Sequence, residues 1–267
     1  MSHLVNERAR ILSNEKVGPR LHLMVLESPL IAQAIQPGQF VHVKFPDLEA
    51  HILRRPFSVY ARDAVRGTVD ILYQEVGSVT RIMPSMSAGE LEMIGPIGNA
   101  WNSNCSHALL VGGGVGSAPL FMLAETLKAN DIPFDVVLGA QTKDALVARS
   151  RYHDLIGCEP CCATDDGTYG RSGFCASLVE ERLAEGCIAD GAPYDFLAVC
   201  GPEPLMRIVA DMGAKANVRT QVSMEKRMAC GIGACLVCAV KVRKNGGEIM
   251  QHVCKNGPVF NAEEVVF

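Results

Sequence analysis

The segment Met224–Val240, MEKRMACGIGACLVCAV, holds three cysteines within nine residues, and a fourth follows after fifteen more. The four are Cys230, Cys235, Cys238 and Cys254. Their C-x4-C-x2-C…C spacing is typical of plant-type [2Fe–2S] sites, in which four thiolates bind two irons. The intervening glycines let the loop curl and direct its amide groups at the sulfurs. We therefore predict that these cysteines bind a [2Fe–2S] cluster.

A zinc site is the alternative for these cysteines, and it more often uses two C-x2-C pairs. Only Cys235 and Cys238 form such a pair here. Seven further cysteines are scattered along the chain, as expected for small buried hydrophobes in a reducing compartment. They are Cys105, Cys158, Cys161, Cys162, Cys175, Cys187 and Cys200. A zinc-stapled scaffold without redox activity stays open, and it would be colourless.

The composition narrows the class of protein. The chain has 267 residues, 48% of them hydrophobic, and a formal net charge of −4, which leaves no basic surplus for binding nucleic acid. The first residues lack the layout of a signal peptide, and no apolar run approaches the roughly 18 residues of a membrane span. We expect a cytoplasmic globular protein.

Before the cysteines, apolar strands alternate with helices. The predicted strands are HALLVGGG, FDVVLGAQ and DFLAVC, and the helices include SAPLFMLAETLKAND and ASLVEERLAEG. This alternation predicts a parallel sheet with helical crossovers.

Two glycine-containing turns follow strands of this sheet. In GGGVGSAPL the glycines let the backbone approach a phosphate, and the following helix supplies unpaired amides. The spacing departs from G-x-G-x-x-G, and such turns also arise merely to pack a helix closely on a sheet. CGPEPLM repeats the arrangement at a later strand end, where ligands of parallel sheets gather.

Nearer the N-terminus the pattern changes to short β-type segments separated by turn residues. Examples are RLHLMVLES, GQFVHVKF, TVDILYQEVG and LEMIGPIG, which together predict an antiparallel barrel or sandwich, with a short helix after Ser78. Within it, RRPFSVY offers the Arg55 guanidinium to a diphosphate, the Ser58 hydroxyl to a flat ring system and Tyr60 to stack on that ring. An isolated Arg-Pro-Phe is more often a surface ion pair beside a core aromatic.

The changes of pattern divide the chain into three predicted units. These are a β-barrel over residues 1–101, an α/β domain over 102–218 and a small cysteine-rich domain over 219–267. A hairpin turn is predicted at Asn245-Gly246 in the third unit.

Three sequence features, taken in chain order, resemble those of the electron-transfer subunits of type B dihydroorotate dehydrogenase, within the ferredoxin–NADP reductase superfamily. They are RRPFSVY in the barrel, the turns GGGVGSAPL and CGPEPLM in the sheet, and the C-terminal cysteine spacing. The resemblance covers nearly the whole chain, and its most specific part is EKRMACGIGACLVCAV. It implies a ferredoxin reductase-like fold: a β-barrel FAD domain, an α/β parallel-sheet nucleotide-binding domain and a small C-terminal [2Fe–2S] domain.

The resemblance also implies cofactor ligands. FAD would be bound by three segments: Arg55, Pro56, Phe57 and Ser58; Leu72, Tyr73 and Gln74; and Val79 and Thr80. The family has Gly-Thr at the third segment, so Gly77 and Ser78 would compensate for the missing glycine. The nicotinamide nucleotide would be bound by Gly113, Gly114, Gly116, Cys200, Gly201 and Pro202.

An electron path and a partner are implied as well. Dihydroorotate would be oxidised at FMN in a separate catalytic subunit of pyrimidine biosynthesis, and electrons would pass through the cluster and FAD to NAD+. The assembly would be a heterotetramer of two catalytic and two electron-transfer subunits, and no residue of this chain would act as nucleophile or general acid. A patch of Met228, Ile232 and Leu236 would either contact the partner or form the small domain's own core. A reductase subunit serving a hydrogenase or a ferredoxin:NAD(P)H oxidoreductase remains an alternative.

The preference for NAD rests on the resemblance. No acidic residue stands at the usual ribose position after LGAQTKD, where Gln141 is neutral. Lys143 and Arg149 would either meet a 2′-phosphate or be solvated surface charges.

Overall fold

The computed structural model describes residues 4–45 and 52–267; residues 1–3 and 46–51 of the first predicted unit lie outside the described residues. The first unit contains an antiparallel sheet of seven strands in the order β4-β3-β7-β1-β2-β6-β5. The strands are β1 Val5–Gly18, β2 Leu21–Glu27, β3 Phe40–Lys44, β4 Arg55–Ser58, β5 Ala61–Asp63, β6 Thr68–Gln74 and β7 Glu90–Ile97. Only two residues join the edge strands β4 and β5, so the two edges of the sheet meet, as the predicted barrel requires.

Two short helices accompany this sheet, α1 Pro29–Ala34 and α2 Ser78–Ile82. The sequence predicted α2 but only a strand end at Pro29. Proline is tolerated in the first turn of a helix, where its missing N–H would have no partner. The Glu7 carboxylate accepts the backbone N–H groups of Leu30 and Ile31, each at 3.1 Å, and so satisfies two donors at the start of α1.

The second unit is a sheet in the order β11-β10-β9-β8-β12-β13-β16, parallel except for its last strand. Its strands are β8 Ala108–Gly113, β9 Phe134–Ala140, β10 Cys161–Thr164, β11 Arg171–Ser172, β12 Phe196–Cys200, β13 Arg219–Ser223 and β16 Val259–Asn261. The connecting helices are α3 Ala118–Ala129, α4 Arg149–Ile156, α5 Ala176–Glu185 and α6 Glu203–Lys215. The predicted parallel sheet is confirmed.

This sheet extends past the predicted boundary at residue 218. Strand β13 pairs in parallel with β12 over five residues, and β16 then pairs antiparallel with β13. A strand at the edge of a sheet leaves unpaired backbone groups, and β13 satisfies those of β12 while β16 covers β13. The cysteine-rich segment is therefore anchored to the parallel sheet at both of its ends.

The remaining C-terminal residues form a hairpin of β14 Ala239–Lys244 and β15 Gly247–His252, followed by the short helix α7 Val253–Asn256. Asn245 and Gly246 have φ values of 53° and 77°, which confirms the predicted two-residue turn. No helix formed by the described residues is long and apolar enough to cross a membrane.

Candidate functional site

A cavity of about 410 Å³ lies where the three units meet. Phe40, Pro56 and Ser58 line it from the first sheet, and Val253, the neighbour of Cys254, lines it from the cysteine-rich unit. The segment that follows β13 closes it with Ser223, Met224, Glu225, Lys226, Arg227 and Met228. A second cavity of about 710 Å³, between α6 and the C-terminal residues, includes none of the predicted site residues.

The first predicted flavin segment lies on β4 beside this cavity. Side chains alternate along a strand, so Pro56 and Ser58 face the cavity while Phe57 packs into the core of the first sheet. Arg54 is paired with Glu92 at 3.1 Å, whereas Arg55 donates to the backbone carbonyls of Leu53 and Arg54. Within the described part of the chain no carboxylate pairs with Arg55, so its charge fits a phosphate group.

The other predicted flavin segments are placed differently. Leu72 and Tyr73 are buried, with the Tyr73 ring 6.3 Å from that of Phe57, whereas Gln74 is exposed at the end of β6. Val79 is buried in the core of the first sheet, so only its backbone can reach a ligand. The Thr80 hydroxyl accepts the backbone N–H groups of Val76 and Gly77 and thereby closes the turn before α2.

The expectation that Tyr60 stacks on a flat ligand is wrong. Its side chain is 2% exposed, lies 5.1 Å from the Phe121 ring and is covered by the Arg151 guanidinium at 4.7 Å. Both neighbours belong to the second unit, so Tyr60 packs in the interface between the first two units.

The structure brings the predicted nicotinamide residues together. Strands β8 and β12 are neighbours, and their two turns pack on each other: a methyl group built on Gly116 would lie 2.6 Å from the carbonyl oxygen of Cys200. A methyl group built on Gly113 would lie 2.9 Å from Cδ of Pro202, so these glycines are required for packing. Gly114, with a φ of 56° and open space around it, is the position of this turn that leaves room for a ligand.

The two basic residues after β9, Lys143 and Arg149, both contact neighbouring side chains. Arg149 donates to both carboxylate oxygens of Glu159 at 2.9 Å, and the Lys143 ammonium lies 5.9 Å from the Tyr169 ring centroid. These contacts favour a role as surface charge for both residues.

A close pair of sulfurs and backbone hydrogen bonds connect the predicted cluster ligands. The sulfurs of Cys238 and Cys254 are 3.3 Å apart and buried, and backbone N–H groups of Ala234 and Cys235 each donate to the Cys230 sulfur at 3.3 Å. The Cys235 side chain is exposed. Among residues 4–45 and 52–267, no three metal-ligating side chains are arranged around a single metal position. The close Cys238–Cys254 pair fits an iron of a two-iron cluster that takes two cysteine ligands.

The electrostatics around these sulfurs favour a thiolate at Cys230. Burial raises its pKa, but N–H groups of Cys235, Ile232 and Ala234 outweigh that effect and lower the pKa of Cys230 to about 6. Burial and the adjacent Cys238 raise the pKa of Cys254 to about 12. Binding of a cluster would therefore displace a proton from Cys254, whereas the Cys230 surroundings already favour the thiolate that ligation would require.

Sequence reasoning did not place Ser223–Arg227 at this cavity, because these residues carry no ligand-binding motif of their own. Among them, Glu225 lines the cavity and stays accessible to solvent, and desolvation by the surrounding protein raises the pKa of its carboxyl. In the described part of the chain no cation pairs with it. The Cys200 thiol lies nearby, and burial, followed by the charge of Glu225, raises its pKa.

A Glu225→Gln variant is expected to be more stable than the unmodified protein at neutral pH. Because the folded state raises the carboxyl pKa, protonated Glu225 favours folding and ionised Glu225 opposes it. The stabilisation by the protonated form is lost as the pH rises through the pKa of the folded state. Glutamine lacks this penalty, so its gain in Tm should be largest at about pH 8 and shrink towards about pH 5. Thermal unfolding followed by circular dichroism measures it.

Glu203 provides the control, because its carboxylate is paired with Lys226 at 3.4 Å. A Glu203→Gln variant should show no such gain. A pH-independent difference between the Glu225 variant and the unmodified protein would contradict the argument.

Comparison with known proteins decides the family. Residues 225–266 match the family described as the iron-sulfur cluster binding domain of dihydroorotate dehydrogenase B. The chain is 39% identical over 263 residues to the dihydroorotate dehydrogenase B (NAD(+)) electron transfer subunit of Caldanaerobacter subterraneus subsp. tengcongensis, covering 97% of this chain and 98% of that protein. This chain belongs to the family of dihydroorotate dehydrogenase B electron transfer subunits. The subunit of Bacillus caldolyticus is 36% identical over 97% of this chain and 98% of its own length.

Solved structures place this dihydroorotate dehydrogenase B family member in the ferredoxin reductase fold. The NADH-dependent reduced ferredoxin-NADP oxidoreductase, described for flavin-based electron bifurcation, superposes with a TM-score of 0.84 and 28% identity, covering 97% of this chain and 89% of that chain. A ferredoxin NADP+ reductase from Neisseria gonorrhoeae with bound FAD and NADP has a TM-score of 0.64 and 15% identity, covering 79% and 91%, and shows the shared fold. The predicted family, fold class and oxidoreductase class are confirmed.

Proposed function

We propose that this chain carries electrons from the FMN of a dihydroorotate dehydrogenase catalytic subunit, through a [2Fe–2S] cluster and FAD, to NAD+. The observation that carries the proposal is the cavity shared by the flavin strand, the end of the parallel sheet and the residue next to Cys254. In this arrangement a flavin ring would contact protein segments from all three units. Function in the cytoplasm is part of the proposal.

The residues of the chain bind and orient, and none needs to act as nucleophile or general acid. Pro56 and Ser58 would form one wall of the flavin site, and the unpaired Arg55 would meet the diphosphate. Bound FAD supplies the conversion between two-electron and one-electron transfer. Four cysteines would hold the cluster: Cys230, Cys235, Cys238 and Cys254. Because β13 pairs with β12, residues 219–223 belong with the parallel sheet. We therefore propose that the third unit begins at about residue 224 instead of residue 219.

An exposed apolar surface on the cluster loop supports the partner. Ile232 and Leu236 are each 56% exposed and Val237 is 54% exposed, and all three flank the exposed Cys235. Met228, the third member of the predicted patch, packs partly into the protein's own core. Apolar side chains grouped beside a redox ligand fit a protein interface better than a solvated surface. We propose that the catalytic subunit docks here, in a heterotetramer of two plus two.

An Ile232→Glu, Leu236→Glu double variant is expected to lose the catalytic subunit. Burying two carboxylates in an apolar interface should weaken binding at least about 30-fold, the factor that corresponds to the roughly 2 kcal/mol lost at one interface hot spot. Co-purification of tagged chain with the catalytic subunit, followed by flavin and iron analysis, measures the loss. Phe174, which is 79% exposed on the second unit, gives the matched control as Phe174→Glu.

The function itself is tested by dihydroorotate-dependent reduction of NAD+ in the co-purified complex. Activity with NADP+ alone would refute the assignment of NAD. A complex that lacks an FMN-containing catalytic subunit but reduces ferredoxin would instead support the reductase alternative.

A further inference from the structure

His42 lies between the flavin strand and the cluster loop. On β3 it stands directly opposite Pro56 of β4, and Phe40, two residues earlier, stands opposite Ser58. Residues that face each other across antiparallel strands project from the same side of the sheet, and side chains two apart on one strand share that side. The His42 ring therefore projects on the same side of the sheet as Phe40, Pro56 and Ser58, the residues that line the cavity.

The same ring touches the cluster loop. A methyl group built on Gly231 would lie 2.3 Å from Nδ1 of His42 and 2.9 Å from its Cε1 and Cγ atoms. Gly231 has a φ of 71° and directly follows Cys230, so the loop passes over the imidazole beside a predicted iron ligand. One side chain thus spans the distance between the flavin strand and the loop that holds the cluster.

The ring is also incompletely bonded. His42 is 0% exposed, and within the described part of the chain no hydrogen bond of good geometry reaches Nδ1 or Nε2, although the backbones of Arg54 and Cys230 lie near the ring. Buried polar groups in proteins are nearly always paired, and an unpaired one calls for a missing partner. A neutral imidazole has one N–H to donate, and hydrogen bonds to cluster sulfurs are a known way to set a cluster's potential.

We propose that His42 is a positioning residue that fixes the spacing between flavin strand and cluster loop, and that its ring N–H donates to a sulfur at the bound cluster. This inference rests on the proposed function. Electrons pass one at a time between the two redox groups, and His42 is neither oxidised nor reduced. Its effect is to hold the two groups in place and to stabilise the reduced, more negative form of the cluster.

The test compares His42→Asn with His42→Leu in the purified chain containing its flavin and cluster. Asparagine places an N–H donor near the position of Nδ1, whereas leucine fills the space without a polar atom. Leucine should shift the cluster midpoint potential to a more negative value, alter the paramagnetic resonance spectrum of the reduced cluster and slow its reduction by NADH about tenfold. Asparagine should restore all three towards the unmodified protein.

If the leucine variant does not fold, a measurement on the unmodified protein tests the same hydrogen bond between His42 and the cluster. With ¹⁵N-labelled histidine, pulsed paramagnetic resonance should detect a nitrogen coupled to the reduced cluster that is absent from His42→Asn and present in His107→Asn, the remote control. An equal signal in unmodified and His42→Asn proteins, or a leucine variant with unchanged potential, overturns the proposal. An unmodified protein without iron and sulfide would instead refute the proposed function.

Discussion

A Cys254→Ser variant is expected to keep its flavin and to lose its iron and sulfide. Cys254 is 5% exposed and its sulfur lies 3.3 Å from that of Cys238, so we expect the two thiolates to bind the same iron. Serine preserves the size of the side chain but removes the soft thiolate that iron–sulfur clusters require. Since altered groups behind the ligands already cost about 10- to 100-fold, loss of a ligand should lower dihydroorotate-dependent NAD+ reduction by more than about 100-fold.

Iron and sulfide analysis and the visible spectrum measure the cluster, and NADH oxidation with an artificial acceptor measures the flavin site separately. The flavin-dependent reaction should persist, because Cys254 is not among the residues that line the proposed flavin cavity. Cys158→Ser is the matched control, since Cys158 is exposed and outside the site. Full iron content in Cys254→Ser would show that the cluster is held by other residues.

A Gly231→Ala variant is expected to disrupt the cluster loop. A left-handed backbone conformation costs an alanine about 1–2 kcal/mol, and here the added methyl group would also lie 2.3 Å from a fully buried imidazole. The buried ring has no free space in which to move, so the loop itself would have to shift. We expect iron occupancy to fall below about one-tenth, in line with the sensitivity of metal sites to displaced surroundings.

A Gly246→Ala variant separates the effect of the steric clash with His42 from the effect of the left-handed backbone conformation. Gly246 has a φ of 77°, close to the 71° of Gly231, but no atom lies within 4 Å of the methyl group it would gain. This variant should lower Tm by only a few degrees and keep its cluster. Equal iron contents in the two variants would show that contact with His42 does not constrain the loop.

Local patterns were enough to predict most elements of the fold. Alternating β-branched residues gave the strands of the first sheet, and apolar runs followed by amphipathic segments gave the parallel sheet. The helix at Pro29 was missed because proline reads equally as a strand end and as the first residue of a helix. Strand β16 was missed because a three-residue strand gains its stability from β13, which is distant in sequence.

The site was predictable where the chemistry is carried by spacing. Cysteine spacing identified the cluster segment, and glycine-rich strand ends identified two turns that the fold brings together. Side-chain direction was not predictable: Tyr60 packs between units, whereas Ser58, two residues earlier, faces the cavity. Glu225 and His42 carry no motif, and only their surroundings distinguish them from ordinary residues.

The sequence by itself determined which ligands are available to the redox groups, because cysteine spacing and short glycine-rich turns are properties of neighbouring residues. Only the tertiary structure decided how the redox segments are joined, since β3, β4 and the loop after β13 come from distant parts of the chain. Packing places His42 against Gly231 and Val253 beside the proposed flavin cavity. Such contacts depend on the whole fold, because they arise when separate elements bury their apolar faces against one another.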